Sequence, residues 1–311
     1  MKKRILPIIF CILLLLTAAM PASAAETGSV TVLFQNNNQS VTDAAFDIYK
    51  AAEWDGDGYA LIAPFSDYSV KIPNDVYSDE WKTIASTLAA YAERDKITPL
   101  ASGQTDENGE FSFEGLSDGL YLLVGSPVDS GRQRLFPQPM LVTVPYETPN
   151  GDRDYDVAAE PKYEATGNYT GEMITRRALK IWRDDGNEEK RPQNITVQLL
   201  CDGKIYDEQM LNAANNWSYT WKGLEAAHDW KLTEKEVPED YTVQITRQDI
   251  TFTVTNTSKN SPPTSTGTSD EPTLPQTGLL WWPVPVLGGI GVVALFFGIF
   301  LLLRKKDGSD A

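Results

Sequence analysis

Short runs in which apolar and polar residues alternate fill most of the chain between residues 26 and 257. Such alternation, bounded by turn residues, is typical of β-strands that bury one face. In the first half the pattern predicts strands at 29–34, 45–49, 59–63, 111–113, 120–124, 140–144 and 155–159. In the second half it predicts strands at 178–182, 195–201, 204–211, 217–221, 230–234, 241–246 and 250–255.

One segment, residues 78–93, has a different period. Ser78 is placed to cap a first turn, and large apolar side chains follow at the spacing of one helix face. These side chains are Trp81, Ile84, Leu88 and Tyr91. We therefore predict an amphipathic helix inserted between strands. The expected fold is all-β, with two immunoglobulin-like sandwiches in tandem over residues 26–164 and 171–257.

The segments outside the two domains have their own composition. A basic start, a short apolar run and an A-x-A site predict a signal peptide over residues 1–25, cleaved after Ala24 or Ala25. Residues 258–273 are rich in Ser, Thr, Pro and Gly and contain almost nothing apolar. Such a segment cannot bury a core, so we predict an extended stalk.

An apolar run, residues 279–303, follows the stalk and contains no charged residue. As a helix it would span roughly 37 Å, at about 1.5 Å per residue, which is enough to cross a bilayer core of about 30 Å. Trp281 and Trp282 stand at one end, where aromatic rings favour the interface, and a basic triplet opens the tail, residues 304–311. The run is predicted to be transmembrane, with a cytoplasmic tail.

Directly before this run stands the pentapeptide Leu274-Pro275-Gln276-Thr277-Gly278. The pentapeptide, the apolar stop and the basic tail together resemble the LPxTG cell-wall sorting signal of Gram-positive surface proteins. The resemblance implies that a sortase cuts between Thr277 and Gly278 and joins the Thr277 carbonyl to an amine of peptidoglycan. The alternative is an ordinary membrane anchor after an accidental pentapeptide, but three features in the right order favour the sorting signal.

Composition narrows the possible partners. The formal charge is −16, and removal of the basic signal peptide makes the chain more acidic, which argues against nucleic acid as a partner. The mature chain keeps one cysteine, Cys201, and one histidine, His228, so we expect no internal disulfide, metal site, cofactor or catalytic triad. Residues 54–58 open like a calcium loop, but Ser66 stands where an EF-hand needs an acid, which favours an acidic turn.

A motif in the first domain, residues 105–122, contains Thr-Asp-Glu-Asn-Gly-Glu-Phe and ends in Gly-Leu-Tyr-Leu. It resembles the signature of sortase-assembled pilins and B-type collagen-adhesin domains, and its Asn108-Gly109 supplies a turn with positive φ. The domain closes with Tyr-Asp-Val and Pro161-Lys162, similar to the end of pilin N-terminal domains, in which a lysine receives the next subunit. Glu160 replaces the tyrosine of that motif, so Lys162 is either a pilin acceptor or a solvated linker lysine.

The second domain resembles a B-type domain of the collagen adhesin along its entire length. The matching residues include Lys180-Ile181-Trp182, Arg191-Pro192, Asp202-Gly203, Asn216-Trp217, Gly223-Leu224, Val237-Pro238 and Thr255-Asn256-Thr257. The resemblance implies an internal isopeptide bond. It leaves open whether this particular chain has the residues that such a bond needs.

The phase of the strands identifies candidates, because alternate side chains share a face. Lys180, Glu234 and Asn256 each fall on an otherwise apolar stripe. Burial would lower the pKa of the lysine and raise that of the glutamate, so a neutral amine could attack the Asn256 amide while Glu234 relays protons and ammonia leaves. Glu236 shares the phase of Glu234 but stands at the strand's end, and a buried Lys180–Glu234 ion pair without chemistry is the other alternative.

The same reasoning makes two expectations about the surroundings. Lys231, Thr233, Thr253 and Thr255 lie on the opposite faces of these strands, which we expect to be wetter. In the first domain, Phe34 stands where the lysine would be expected and Gly125 where the glutamate would be, so we expect no cross-link there.

Together these resemblances imply a secreted structural protein anchored to the wall of a Gram-positive bacterium, such as the basal or accessory pilin. Its expected partners are a sortase, peptidoglycan and a larger pilin subunit. The alternative is a stand-alone adhesin that binds a host or extracellular-matrix ligand. Cross-link formation would happen once per molecule, so we expect no enzyme.

Overall fold

The computed structural model describes residues 26–74, 80–148, 150–167, 171–184 and 186–259, all of which belong to one compact unit. The predicted signal peptide, sorting pentapeptide, apolar run and tail lie outside these residues, as does nearly all of the predicted stalk. Within the described ranges, no helix is long and apolar enough to span a membrane.

The described part of the first half contains short strands around one α-helix, α1, which spans Glu80–Asp95. Its strands are β1 (Gly28–Leu33), β2 (Gln35–Asn36), β3 (Gln39–Ser40), β4 (Ala45–Trp54), β5 (Tyr59–Leu61), β6 (Ala101–Gln104), β7 (Glu110–Leu116), β8 (Gly119–Gly125), β9 (Val128–Ser130), β10 (Gln133–Pro137), β11 (Met140–Val144), β12 (Tyr146–Glu147), β13 (Arg153–Asp154), β14 (Asp156–Ala159) and β15 (Tyr163–Gly167). Every strand predicted for this half overlaps one of these.

Two main sheets form the first sandwich. In one, β1 lies between β14 and β7, and in the other the order is β11, β8, β4 and β5, with β6 also paired to β4. Their inner faces enclose a core that includes Val32, Phe34, Phe46 and Tyr121, all nearly inaccessible to solvent. A third sheet, β15-β10-β9, extends the pairing of this half to Gly167.

Strand β8 is buried on both faces. Tyr121 and Leu123 point into the sandwich core, whereas Leu120 and Leu122 belong to a second core that also contains residues of α1. The Gly-Leu-Tyr-Leu string is therefore apolar on consecutive positions because the strand is covered by a sheet on one side and by a helix on the other.

Helix α1 is more buried than an amphipathic pattern predicts. The four large apolar residues of the predicted face are buried, and so are Ala85, Ala89 and Ala92. The helix lies between the first sandwich and the second, so both sides need apolar or small side chains. Glu80 lies in its first turn, while the predicted cap Ser78 falls outside the described residues.

The second half is a sandwich of seven strands, as the alternation predicts. They are β16 (Met173–Arg183), β17 (Asn194–Cys201), β18 (Lys204–Asn212), β19 (Ser218–Glu225), β20 (Trp230–Glu234), β21 (Tyr241–Gln248) and β22 (Thr251–Ser258). One sheet has the order β19-β16-β22-β21 and the other β18-β17-β20. The first and last strands, β16 and β22, are parallel neighbours. The predicted all-β class with two sandwiches and an inserted helix is confirmed.

The first half of the chain packs against the edge strands on one side of the second sandwich. Strands β20 and β21 are edge strands of the two sheets, and an edge strand presents backbone groups that need partners. The Ser69 carbonyl accepts a hydrogen bond from the Val243 amide at 2.7 Å, and Thr87 Oγ1 accepts one from the Ile245 amide at 2.9 Å. The two halves therefore share backbone hydrogen bonds as well as a core.

Candidate functional site

Three polar side chains are buried in the middle of the second sandwich. Lys180 is 4% exposed, and Glu234 and Asn256 are 0% exposed. Burial along β22 alternates strictly, so that Asn256 shares its buried face with Phe252 and Val254. The three residues thus occupy the apolar faces that the strand phase predicts.

Lys180 and Asn256 come from neighbouring parallel strands. In the register of β16 and β22, Lys180 is opposite Val254 and Trp182 is opposite Asn256. Asn256 therefore lies one pleat further along the face to which Lys180 belongs. Lys180 Nζ donates to the carbonyl of Ile181 at 2.9 Å and approaches that of Val254 at 3.4 Å, so the amine lies over the seam between the strands.

Glu234 reaches this seam from the facing sheet. Its Oε1 accepts a hydrogen bond from Asn256 Nδ2 at 3.1 Å. Within the described residues, Glu234 Oε2 and Asn256 Oδ1 are buried without a hydrogen-bond partner, which native interiors rarely tolerate. A half-turn of the amide would place Oδ1 against Glu234, where a protonated carboxyl can donate to it.

Burial also sets the protonation states. Removal from water lowers the pKa of Lys180 from 10.5 to about 7, against the opposing effect of the Glu234 carboxylate. The same cause raises the pKa of Glu234 from 4.5 to about 7, against the effects of Lys180 and of the hydrogen bond from Asn256. A neutral amine and a protonated acid are therefore both accessible near neutral pH.

Aromatic rings cover the amine. Lys180 Nζ lies 3.8 Å from the centroid of the Trp182 ring. That ring packs edge-to-face against Trp217 and Tyr241, with centroid distances of 5.5 and 5.1 Å. These rings exclude water from Lys180, which is the physical cause of its lowered pKa.

The buried carboxylate of Asp184 holds these aromatic rings in place over Lys180. Asp184 lies two pleats beyond Lys180 and accepts hydrogen bonds from Arg191 Nε at 2.5 Å and Nη2 at 2.6 Å. Tyr241 Oη donates to the same carboxylate at 3.2 Å, and the Arg191 guanidinium holds the pKa of Asp184 below its ordinary value. The sequence match includes Arg191, but it does not reveal that this residue and Asp184 hold the ring that closes the site.

Residues 177–257, which contain all three buried polar residues, match the family model described as Cna protein B-type domain. A stretch of 62 residues, 19% of this chain, is 40% identical to the collagen adhesin of Staphylococcus aureus. That stretch spans only 5% of the adhesin, so the chain corresponds to a small part of this relative.

Several solved structures align with most of this chain at low identity. A single B repeat unit of the collagen-binding surface protein of Staphylococcus aureus covers 75% of this chain and 99% of its own, with 16% identity and a TM-score of 0.27. The shaft pilin of Lactobacillus rhamnosus GG covers 76% and 100%, with 12% identity and a TM-score of 0.26. The major pilin of Corynebacterium diphtheriae covers 75% and 98%, with 11% identity and a TM-score of 0.27. At such TM-scores the strand pairing described above, and not these likenesses, establishes the fold.

The outer face of β20 is not wet, contrary to the sequence prediction. Thr233 is 0% exposed and donates to Gln198 Oε1 at 3.3 Å. Lys231 Nζ lies 2.5 Å from Glu93 Oε1 on α1, and although burial alone would lower its pKa, the carboxylates of Asp229 and Glu93 raise it to about 12. The prediction is wrong for this strand because a helix from the first half covers it.

The alternative acid and the matching positions of the first sandwich lie in surroundings that differ from those of the three buried polar residues. Glu236 is exposed and lies two residues beyond the end of β20. In the first sandwich, Phe34 is fully buried and packs on Phe46 with centroids 5.5 Å apart. A Cβ at Gly125 would lie 2.6 Å from atoms of Phe46 and Pro137, so no glutamate fits there without a shift of its neighbours. The absence of a cross-link in the first sandwich stays a prediction.

Other predicted features are found on the surface. Lys162 is exposed just before β15. The acidic segment 54–58 is the turn between β4 and β5, in which Asp55 Oδ1 accepts hydrogen bonds from the amides of Asp57 and Gly58, both at 3.0 Å. The sorting pentapeptide lies outside the described residues.

One group of potential ligands was not indicated by the sequence. The donor atoms of Cys201, Asp202 and His228 lie within 4.8 Å of one another. His228 Nδ1 and Asp202 Oδ2 are 2.6 Å apart, closer than the roughly 3.3 Å between ligands of a tetrahedral zinc ion. Burial and the nearby Asp202 raise the pKa of the Cys201 thiol, which opposes metal binding. These contacts close a turn, and we assign no metal to them.

Proposed function

We propose that this chain is a sortase-anchored structural protein of a Gram-positive surface, the basal or accessory pilin that is joined to peptidoglycan through Thr277. Its second sandwich is closed by an isopeptide bond between Lys180 and Asn256. The observation that carries the proposal is the burial of Lys180, Glu234 and Asn256 in the range that matches the B-type family. Charged forms would be very costly there, whereas the neutral amine and acid are the reactive forms.

The proposed reaction is a transamidation that uses only these side chains. Protonated Glu234 donates to Asn256 Oδ1 while Lys180 Nζ attacks Cγ. The proton released by Nζ passes through the Glu234 carboxyl to Nδ2, the Cγ–Nδ2 bond breaks and ammonia leaves. The new bond joins Nζ to Cγ, Oδ1 becomes the amide oxygen again and Glu234 is protonated as before.

The fold supports this proposal because Lys180 and Asn256 lie one pleat apart on neighbouring strands. Fixed contact between groups that would otherwise meet by diffusion is worth several kcal/mol of barrier. The reaction consumes the chain's own side chains and happens once, so it is a maturation step and not enzymatic turnover.

The position of the bond suits a protein under tension. β16 follows the first sandwich and β22 leads into the predicted stalk, and these two strands are neighbours. A force entering through Thr277 and the stalk would pass from Asn256 directly to Lys180. The other strands of the second sandwich would then lie outside the covalently linked path that carries the force.

Intact mass tests the cross-link in the compact unit, residues 26–261. The folded unit should be about 17 Da lighter than its sequence, because one ammonia is lost. Lys180→Ala and Glu234→Gln should restore the full mass, whereas Glu236→Gln, which changes the exposed rival acid, should not. A folded parent of unmodified mass would refute the cross-link.

A larger pilin partner is tested on whole cells. Extracts should contain covalent high-mass ladders that include this chain. If Lys162 is the acceptor, Lys162→Arg removes the ladders because it removes the primary amine, and Lys204→Arg serves as the control. Ladders that persist in Lys162→Arg would assign the acceptor to another lysine, and the absence of ladders would reject the pilin role.

A stand-alone adhesin is the second candidate. A groove of about 1020 Å³ in the first sandwich favours it, since Trp54, Tyr59 and Tyr146 lie along its walls. The test is binding of the ectodomain to an extracellular-matrix protein. Binding that is weakened by Trp54→Ala, together with the absence of ladders from cell extracts, would support this candidate over the pilin.

A further inference from the structure

The strand that carries Glu234 has a free edge within its own sandwich. β20 pairs with β17 on one side only, and the Lys235 amide continues that ladder by donating to the Thr196 carbonyl at 2.8 Å. Backbone groups on the other edge need partners from elsewhere, because buried backbone groups are nearly always paired. For the carbonyl of Glu234, these partners come from helix α1 of the first sandwich.

The backbone carbonyl of Glu234 receives two donors from α1. Tyr91 Oη donates to it at 3.0 Å and Arg94 Nη1 at 3.3 Å. Tyr91 is only 2% exposed, so its hydroxyl cannot exchange this acceptor for water. The residue whose carboxyl faces Asn256 is therefore held through its backbone from outside the second sandwich.

Both donors are held by contacts within the first sandwich. The ring of Tyr68 stacks on Tyr91, with centroids 4.7 Å apart and 16° between the planes. Arg94 Nε and Nη2 donate to the Asp95 carboxylate at 2.8 and 2.7 Å, and Tyr68 Oη donates to the same carboxylate at 2.7 Å. The geometry of these donors does not depend on the cross-link.

We infer that Tyr91 is a positioning residue for the cross-linking reaction: it fixes the backbone of Glu234 and thereby aims the carboxyl at Asn256. The inference rests on the proposed function, since it concerns how the acid of that reaction is held. Glu234 is the last residue of the short strand β20, where a chain is most easily displaced. Small displacements of a reacting group slow a reaction strongly. The second sandwich therefore cross-links efficiently only when the first is docked.

Two matched variants test this role, because each deletes one hydroxyl from the same face of α1. Tyr91→Phe removes the donor to Glu234, and Thr87→Val removes the partner of Ile245 on β21. The rate of the 17 Da loss is followed during refolding of residues 26–261. Tyr91→Phe should slow it roughly three- to tenfold, the value of one hydrogen bond, while Thr87→Val should change it by less than about twofold. Equal slowing by both variants, or none by Tyr91→Phe, overturns the inference.

A second readout separates this inference from the cross-link itself. In a Lys180→Ala background no isopeptide can form, and the pKa of the Glu234 carboxyl is measured by NMR titration. Adding Tyr91→Phe should lower this pKa toward 4.5, because a displaced strand end admits water, whereas adding Thr87→Val should not. An unchanged pKa rejects positioning by Tyr91. A parent chain without the mass loss rejects the cross-link, and the titration still decides whether Tyr91 positions Glu234.

Discussion

Lys180 and Asn256 lie one pleat apart on the same face of two parallel neighbouring strands, the first and the last of the second sandwich. The parallel pairing of β16 and β22 brings the two ends of this domain together, although all of its other strands lie between them in the sequence. A bond between these residues would close a loop of roughly 77 residues, which is the source of its expected effect on stability.

Loss of the bond should destabilise the second sandwich. Glu234→Gln keeps the shape of the side chain but removes the group that relays protons, so the chain stays unlinked. We expect the free energy of unfolding to fall by about 4–5 kcal/mol, because the unfolded chain regains the entropy of an open loop. Denaturant titration followed by tryptophan fluorescence measures this. Glu236→Gln is the control, and equal stability of the two variants would contradict the prediction.

The rate of bond formation should have a maximum near pH 7. The fraction of neutral Lys180 grows as the pH rises through about 7, and the fraction of protonated Glu234 falls over the same range. The product of these two fractions has a bell-shaped dependence on pH. Well away from the maximum, the rate should fall about tenfold per pH unit on either side. Refolding across this range with detection by mass provides the profile. A rate that stays level from about pH 7 into alkaline solution would mean that Lys180 keeps an ordinary pKa, because the gain in neutral amine would then offset the loss of protonated Glu234.

Docking of the first sandwich should protect an edge strand from hydrogen exchange. The amides of Val243 and Ile245 bond to Ser69 and Thr87, so both should exchange slowly although β21 is an edge. Thr87→Val should speed exchange at Ile245 by roughly tenfold, the value of one hydrogen bond, and leave Val243 nearly unchanged. Residue-resolved exchange by NMR measures both. Fast exchange at both amides in the parent would show that the halves separate readily.

Thr277 should determine how the protein is held on the cell. Thr277→Ala removes the residue at which a sortase would form its acyl intermediate, so the chain should be released by detergent and not by digestion of peptidoglycan. Thr273→Ala lies just outside the pentapeptide and should behave like the parent. If Thr277→Ala still requires wall digestion for release, anchoring does not pass through this threonine.

Helix α1 shows how much of the fold the local spacing of apolar residues can predict. The spacing of Trp81, Ile84, Leu88 and Tyr91 predicts a helix over 78–93, and α1 spans Glu80–Asp95. The pattern does not reveal that the helix has partners on two sides. Ala85 and Ala89 are compatible with either an exposed or a closely packed surface, so only the position of the second sandwich decides their burial.

Short strands illustrate a second limit. β9 and β15 carry no clear alternation, since a period of two needs several residues to be recognised. They exist because β10 pairs with both of them. A short turn joins β9 to β10, whereas β15 lies far along the chain, and pairing between such remote segments leaves no trace in either sequence alone.

The sequence by itself determined the phase of Lys180, Glu234 and Asn256, because the side-chain period of a strand is local and its apolar neighbours reveal which face is buried. The tertiary structure decided the rest. It set the register that puts Asn256 one pleat from Lys180, the approach of the facing sheet that brings Glu234 to the amide, and the contact of Tyr91 with the Glu234 carbonyl across 143 residues of chain. Register and docking depend on surfaces made by distant segments, which meet only when the chain has folded.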